Sequence, residues 1–275
     1  MPLSDLFHYE FVQRALLAGV LIAAGSSLLG VFLVLRRLSL IGDGLAHVTF
    51  GSVAVVILLG ISPAYVTLAV LPLVIVSSVV IMKLTHAQRI HGDAAIGVVS
   101  SFGIAAGIIL ISLSKGYNVD LLSYLFGNIL TVTQMELMLS AMVFVLVAAS
   151  VIWFYPDLFA ITFDEELART MGKKTEIINT VLFILTAIAA VLAMKIAGIM
   201  LVSAMLILPP LAAMQLSASF KKTILASLLF SILSVICGML LAFGLNLPVG
   251  GTIVMLNIVL LLVVLGIQKL RAFTR

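Results

Sequence analysis

Asp43 and His47 stand four residues apart in the stretch Arg36-Arg37-Leu38-Ser39-Leu40-Ile41-Gly42-Asp43-Gly44-Leu45-Ala46-His47-Val48-Thr49-Phe50-Gly51. On a helix, positions i and i+4 share a face, so a carboxylate and an imidazole can reach one point. These are oxygen and nitrogen donors for a divalent transition metal. Gly42, Gly44 and Gly51 carry no side chain, so a neighbouring backbone or a passing ion can come close. The surrounding run is apolar, where an ionisable group is costly and marks a functional candidate. The plainer alternative has Asp43 capping the helix and His47 packed as a core residue.

The elements that hold this pair are membrane spans. Of 275 residues, 63% are hydrophobic and 9% charged, with mean hydropathy +1.34. A soluble domain carries about 25% charged residues. The net charge of +4 is no nucleic-acid signal, because the basic residues fall at span ends. The single cysteine, Cys237, excludes an internal disulfide and any CxxC metal site. The first apolar run reads as a span rather than a cleavable signal. No P-loop is present, and Gly172-Lys173-Lys174-Thr175 lacks the upstream glycine that motif needs. There is no HExxH, and Ser112-Leu113-Ser114-Lys115 matches SxxK by spacing alone. His8, His86 and His91 read as solvated histidines of termini or loops.

A span needs about 20 apolar residues. Such runs lie near 14–35, 42–60, 63–83, 94–113, 135–155, 176–195, 196–217, 222–244 and 248–268. The count is nine, or eight if the N-terminal segment only lies on the surface. The runs 176–195 and 196–217 form either two spans or one interrupted unit. Twelve of the fifteen basic residues collect on one side of the nine-span arrangement. Arg14, Lys115 and Lys195 are on the other. The positive-inside rule then puts the C-terminus in the cytoplasm and the N-terminus outside.

Two further segments stand apart. Residues 118–131 are apolar but too short to cross, and read as an outer re-entrant or interfacial helix. Asp120 lies near its start and Gly127-Asn128 near its stop. The longest inner loop, 156–175, predicts a short cytoplasmic helix. Asp164 is its N-cap, Glu165 and Glu166 its first turn, and Gly172 its stop. It reads as a docking element, with a solvated loop helix as the plainer alternative. Gly103 and Gly107 form a GxxxG step, and small residues crowd Ala23-Ala24-Gly25-Ser26-Ser27. Pro209-Pro210 predicts a broken helix that frees backbone carbonyls. Asp93 opens the fourth span as an N-cap. With Asp120, Pro209 and Pro210, it is a candidate for lining a path through the bundle. The expected fold class is thus an all-α polytopic membrane protein of eight or nine transmembrane helices. A short outer re-entrant helix and a short cytoplasmic docking helix complete it, in a single domain over 1–275.

The Arg36-to-His47 stretch resembles the signature of the membrane permease of bacterial zinc and manganese ABC importers. The resemblance continues at Asp93 with Ile96-Gly97, at 119–130, and at Ala197-Gly198 through Pro209-Pro210. The loop helix around Glu165, Glu166, Leu167, Ala168 and Gly172 resembles the coupling helix that docks on the ATPase subunit. It departs from the general EAA pattern, with Glu-Leu-Ala after the first acid. Leu167 and Ala168 are both expected on the contact face. The resemblance implies a homodimer in membrane lipid, two cytoplasmic ATPase subunits that hydrolyse ATP, and an extracellular metal-binding protein. The chain itself would then be no enzyme and bind no nucleic acid. Asp43 and His47 of two copies would make four ligands for the transported ion. The 119–130 segment looks more like the zinc members, leaving manganese or iron as the alternative. A secondary transporter driven by protons carried on His47 or Asp43 is the competing class.

Overall fold

The computed structural model of the chain describes residues 9–62, 65–86, 92–113, 132–217 and 219–273. Among these residues there are eleven helices and no strand. They are α1 (Glu10–Leu35), α2 (Ile41–Leu58), α3 (Val66–His86), α4 (Gly92–Leu113), α5 (Gln134–Trp153), α6 (Tyr155–Phe163), α7 (Glu165–Thr170), α8 (Thr175–Ala197), α9 (Ile199–Leu216), α10 (Phe220–Leu245) and α11 (Val249–Phe273). The expected re-entrant segment 118–131, with Asp120, lies outside the described residues.

Each of the nine apolar runs becomes one long helix. Eight are long and apolar enough to cross a membrane. The ninth is α9, whose 18 residues extend about 27 Å. The N-terminal helix is not a surface element. α1, α2 and α8 are largely buried, whereas α4 and α11 turn most of their surface outward. α1 packs on α5, α8, α9 and α10, and its small residues from Ala23 to Ser27 are all buried. Buried hydroxyls help join the helices, with Ser27 and Ser227 oxygens 2.8 Å apart. Gly198, at φ +84, breaks the helical run between α8 and α9, which are two separate helices.

Two expected features take another form. α9 runs unbroken through Pro209 and Pro210, both buried. Pro210 has no N–H for the Leu206 carbonyl four residues back. That oxygen instead faces α1 at Gly30, where an added Cβ would sit 2.1 Å from it. A Cα–H to carbonyl contact accounts for so close an approach. The prolines therefore seat α9 against α1 without interrupting it. Asp93 is the second residue of α4 and exposed, so it lies in the first turn rather than at the cap.

Helix ends are set locally. At the end of α1, the Leu38 N–H donates to Leu33 O and the Arg37 N–H to Val34 O. This closes the helix in a Schellman turn with Arg37 at φ +59. α7 ends the same way, with Gly172 at φ +78. Its start is capped as the sequence predicts, Asp164 Oδ1 accepting from the Leu167 N–H at 2.9 Å.

The tightest helix pair is α2 with α4, and glycine makes it possible. A Cβ on Gly51 would lie 2.3 Å from the Gly103 carbonyl oxygen, and one on Gly103 would lie 2.7 Å from Val48 Cα. Backbone cannot give way as a flexible side chain can. Gly51→Val is therefore expected to force α4 off α2 and cost about 1–3 kcal/mol. Gly97→Ala, with nothing within 4 Å of the new Cβ, is the neutral control. Thermal melting of the two purified variants checks this, and equal melting temperatures would contradict the close packing.

Candidate metal site and coupling face

Asp43 lies in the first turn of α2. A carboxylate is favoured there by the unpaired backbone amides and the helix dipole. His47 follows one turn deeper into the span. The His47 Nε2 is 3.4 Å from Asp43 Oδ2, and the side chains are 25% and 49% exposed respectively. The sharing of one helix face is thus realised, and the pair is open on one side. α9 supplies a third polar group, Ser203, whose Oγ donates to Asp43 Oδ1 at 3.4 Å. Among the described residues no third His, Cys, Asp or Glu joins the pair.

The glycines around the pair act through packing. A Cβ on Gly42 would lie 2.6 Å from Leu206 Cδ1, and one on Gly44 would lie 2.5 Å from Ile96 Cγ2. Removing those side chains lets α9 and α4 close on α2 from either side. The face of α2 that carries Asp43 and His47 stays partly exposed between them. Ser203 was not singled out by sequence reasoning. It sits in the Ala197-to-Pro210 segment that carries part of the family resemblance, but only the packing of α9 on α2 shows its use.

A second polar cluster gathers near the start of α2. Arg36 donates to Asn179 Oδ1 at 2.7 Å and to Glu165 Oε2 at 3.0 Å. Asn179 Nδ2 donates to Glu165 Oε1 at 2.9 Å. Burial pushes the Arg36 guanidinium down from its ordinary value, and the charge of Glu165 opposes this. Arginine remains charged at neutral pH regardless. The cluster ties the α1–α2 turn to α7 and α8. Asn179, a fully buried amide in an apolar span, was the sequence signal for it and went unread.

This arrangement corrects the expected contact face of α7. Ala168 is 1% exposed and Leu167 57%. Ala168 therefore packs inside its own chain, and only Leu167 is available to a partner. Glu165 also turns inward, to Arg36, while Glu166 is exposed. The outward surface is apolar beyond α7 itself. Phe159 and Phe163 on α6 and Met171 after α7 are exposed as well. The Phe159 and Phe163 rings lie 4.9 Å apart, tilted by 52°, beside Phe220, the first residue of α10. The other end of the bundle is closed differently, by an ion pair between Lys195 of α8 and the buried Glu136 of α5.

Known proteins share this chain's sequence and fold. Manganese import system permease protein ScaB of Streptococcus gordonii is 32% identical over 95% of the chain and 92% of its own length. High-affinity zinc uptake system membrane protein ZnuB of Buchnera aphidicola is 31% identical over 90% of the chain and 95% of its own. The solved structure of PsaBC from Streptococcus pneumoniae in complex with Fab superposes with a TM-score of 0.82 at 29% identity. That match covers 95% of this chain and 93% of the other. The model of the ABC 3 transport family matches residues 8–268, so this multi-pass membrane chain belongs to that family.

Proposed function

We propose that this chain is the permease subunit of an ATP-driven importer of a divalent transition metal. The observation that carries the reading is the Asp43–His47 pair, held open on a buried helix of a membrane bundle. One chain offers two ligands. A two-fold homodimer brings four around its axis, which suits a four-coordinate ion. Oxygen and nitrogen donors hold zinc or manganese and, lacking thiolates, leave the ion able to move on. Zinc is the first reading, from the 119–130 segment. Manganese is the second, favoured by the relative named for manganese import.

The basic end of the bundle carries Arg36, Arg37, Lys173, Lys174, Lys221 and Lys222 and faces the cytoplasm in this reading. The N-terminus then lies outside and the C-terminus inside. Two ATPase subunits dock on α7 and its apolar surroundings, and an extracellular metal-binding protein delivers the ion at the opposite end. Arg36, Asn179 and Glu165 give the link between docking and transport. A displacement of α7 pulls on Arg36, and so on the turn that leads directly into Asp43. The transported metal is substrate, and ATP is hydrolysed on the separate subunit.

ATPase activity of the complex reconstituted with its ATPase and metal-binding protein tests the proposal. Stimulation by zinc over manganese supports the first reading, and the reverse order the second. No stimulation by either ion, with uptake proceeding without ATP, would sink the importer reading in favour of a proton-driven transporter.

A further inference from the structure

At the basic end of the bundle, a cleft of about 700 Å³ opens between the last turn of α3, α7 and the start of α8. Four cations line it: Lys83, Arg169, Lys173 and Lys174. Glu176 is the one acid in that lining among the described residues. Lys173 is engaged by Asp157 at 2.5 Å, and Arg169 reaches Glu165 at 3.8 Å. Lys83 and Lys174 are exposed and make no ion pair among the described residues. The cleft thus keeps net positive charge at the level where an apolar helix ends.

What continues from the cleft is apolar. Leu73, Val76 and Val80 are exposed on α3 and precede Lys83 at intervals of three and four, so they share its face. On α8, Ile177 lines the cleft. Val181, Ile184 and Ile188 follow it on one face, half-buried. The two helices pack directly, with Thr180 Oγ1 3.4 Å from Met82 Sδ. The cationic mouth therefore adjoins an exposed apolar face of α3 that runs on from Lys83.

We propose that this cleft binds an anionic phospholipid, its phosphate held by Lys83 and Lys174 and one acyl chain along the exposed apolar face of α3 that runs on from Lys83. Basic pockets between spans recognise such headgroups. That apolar face beside the charges is what separates a lipid from other anions. Free phosphate would use the charges alone, and an acidic protein segment would leave the apolar stripes uncovered.

Native mass spectrometry of the purified permease, titrated with palmitoyl-oleoyl phosphatidylglycerol or the matching phosphatidylcholine, tests the site. Phosphatidylglycerol is expected to be retained and phosphatidylcholine not. Lys83→Gln combined with Lys174→Gln should weaken phosphatidylglycerol binding about thirtyfold. Lys221→Gln combined with Lys222→Gln, a basic pair at the same end but outside the lining, should leave it unchanged. Both cleft lysines are exposed, so equal melting temperatures will accompany the loss. Equal weakening by the two double variants would overturn the proposal, as would absence of a preference for phosphatidylglycerol. Displacement of the lipid by inorganic phosphate alone would make this a phosphate site. Unchanged lipid binding with loss of the co-purifying ATPase would make it a protein contact.

Discussion

Uptake of zinc or manganese by the assembled importer will fall about a hundredfold or more when Asp43→Ala or His47→Ala is introduced. Polar groups that only orient a metal ligand are worth about 10–100-fold in affinity, and a lost ligand costs at least as much. In a homodimer each substitution removes two of four ligands at once. The fold will survive, because the side chains are partly exposed and the Ser203 contact given up is long, at 3.4 Å. Such a hydrogen bond contributes at most about 1 kcal/mol. Ser203→Ala should give a milder loss of about tenfold, since Ser203 touches Asp43 and does not share the His47 contact. Radiotracer uptake, normalised to the amount of assembled complex in the membrane, measures all three. Uptake at the wild-type rate in either alanine variant would remove that residue from the path.

Leu167→Asp will release the ATPase subunits while the permease still folds. Leu167 is 57% exposed in the chain and flanked by other exposed apolar groups. A partner that covers it would then bury an unpaired carboxylate, a penalty of several kcal/mol, which weakens association by about a hundredfold or more. Glu166→Ala, at an exposed acid, should cost about 1 kcal/mol or less. Ala168→Asp must behave differently. At 1% exposure it forces a charge into the permease's own core, so loss of the folded chain is expected, not clean release of a partner. Co-purification of the ATPase and the melting temperature, read together on the three variants, separate docking from folding. Retained uptake by Leu167→Asp with no ATPase bound would defeat the importer reading and leave a transporter that works alone.

Period and composition were sufficient for much of this. Nine apolar runs became nine long helices because no other regular element lets a single segment satisfy its backbone inside a membrane. Asp43 and His47 share a face because a four-residue spacing on a helix allows little else. The cap at Asp164 and the stop at Gly172 were legible for a similar reason, since each depends on a few neighbouring residues. The prolines misled the same kind of reasoning. Alone, Pro209-Pro210 reads as a break. In the bundle, the unsatisfied Leu206 carbonyl finds Gly30 of α1, and α9 continues.

What lay beyond the sequence were relations between residues far apart in the chain. Ser203 meets Asp43 across 160 positions, and Arg36 meets Asn179 across 143. No local pattern encodes such pairs. The direction of Ala168 also depends on the tertiary structure. A six-residue helix has too few turns to declare an apolar face, and only its seating beside α8 decides which side is covered. The sequence by itself thus determined a membrane bundle, its apolar helices and the shared face of Asp43 and His47 on α2, because these follow from hydrophobicity and helical period. Tertiary packing decided that the pair stays open between α4 and α9, and that α7 presents Leu167 while hiding Ala168, because burial is a property of neighbours.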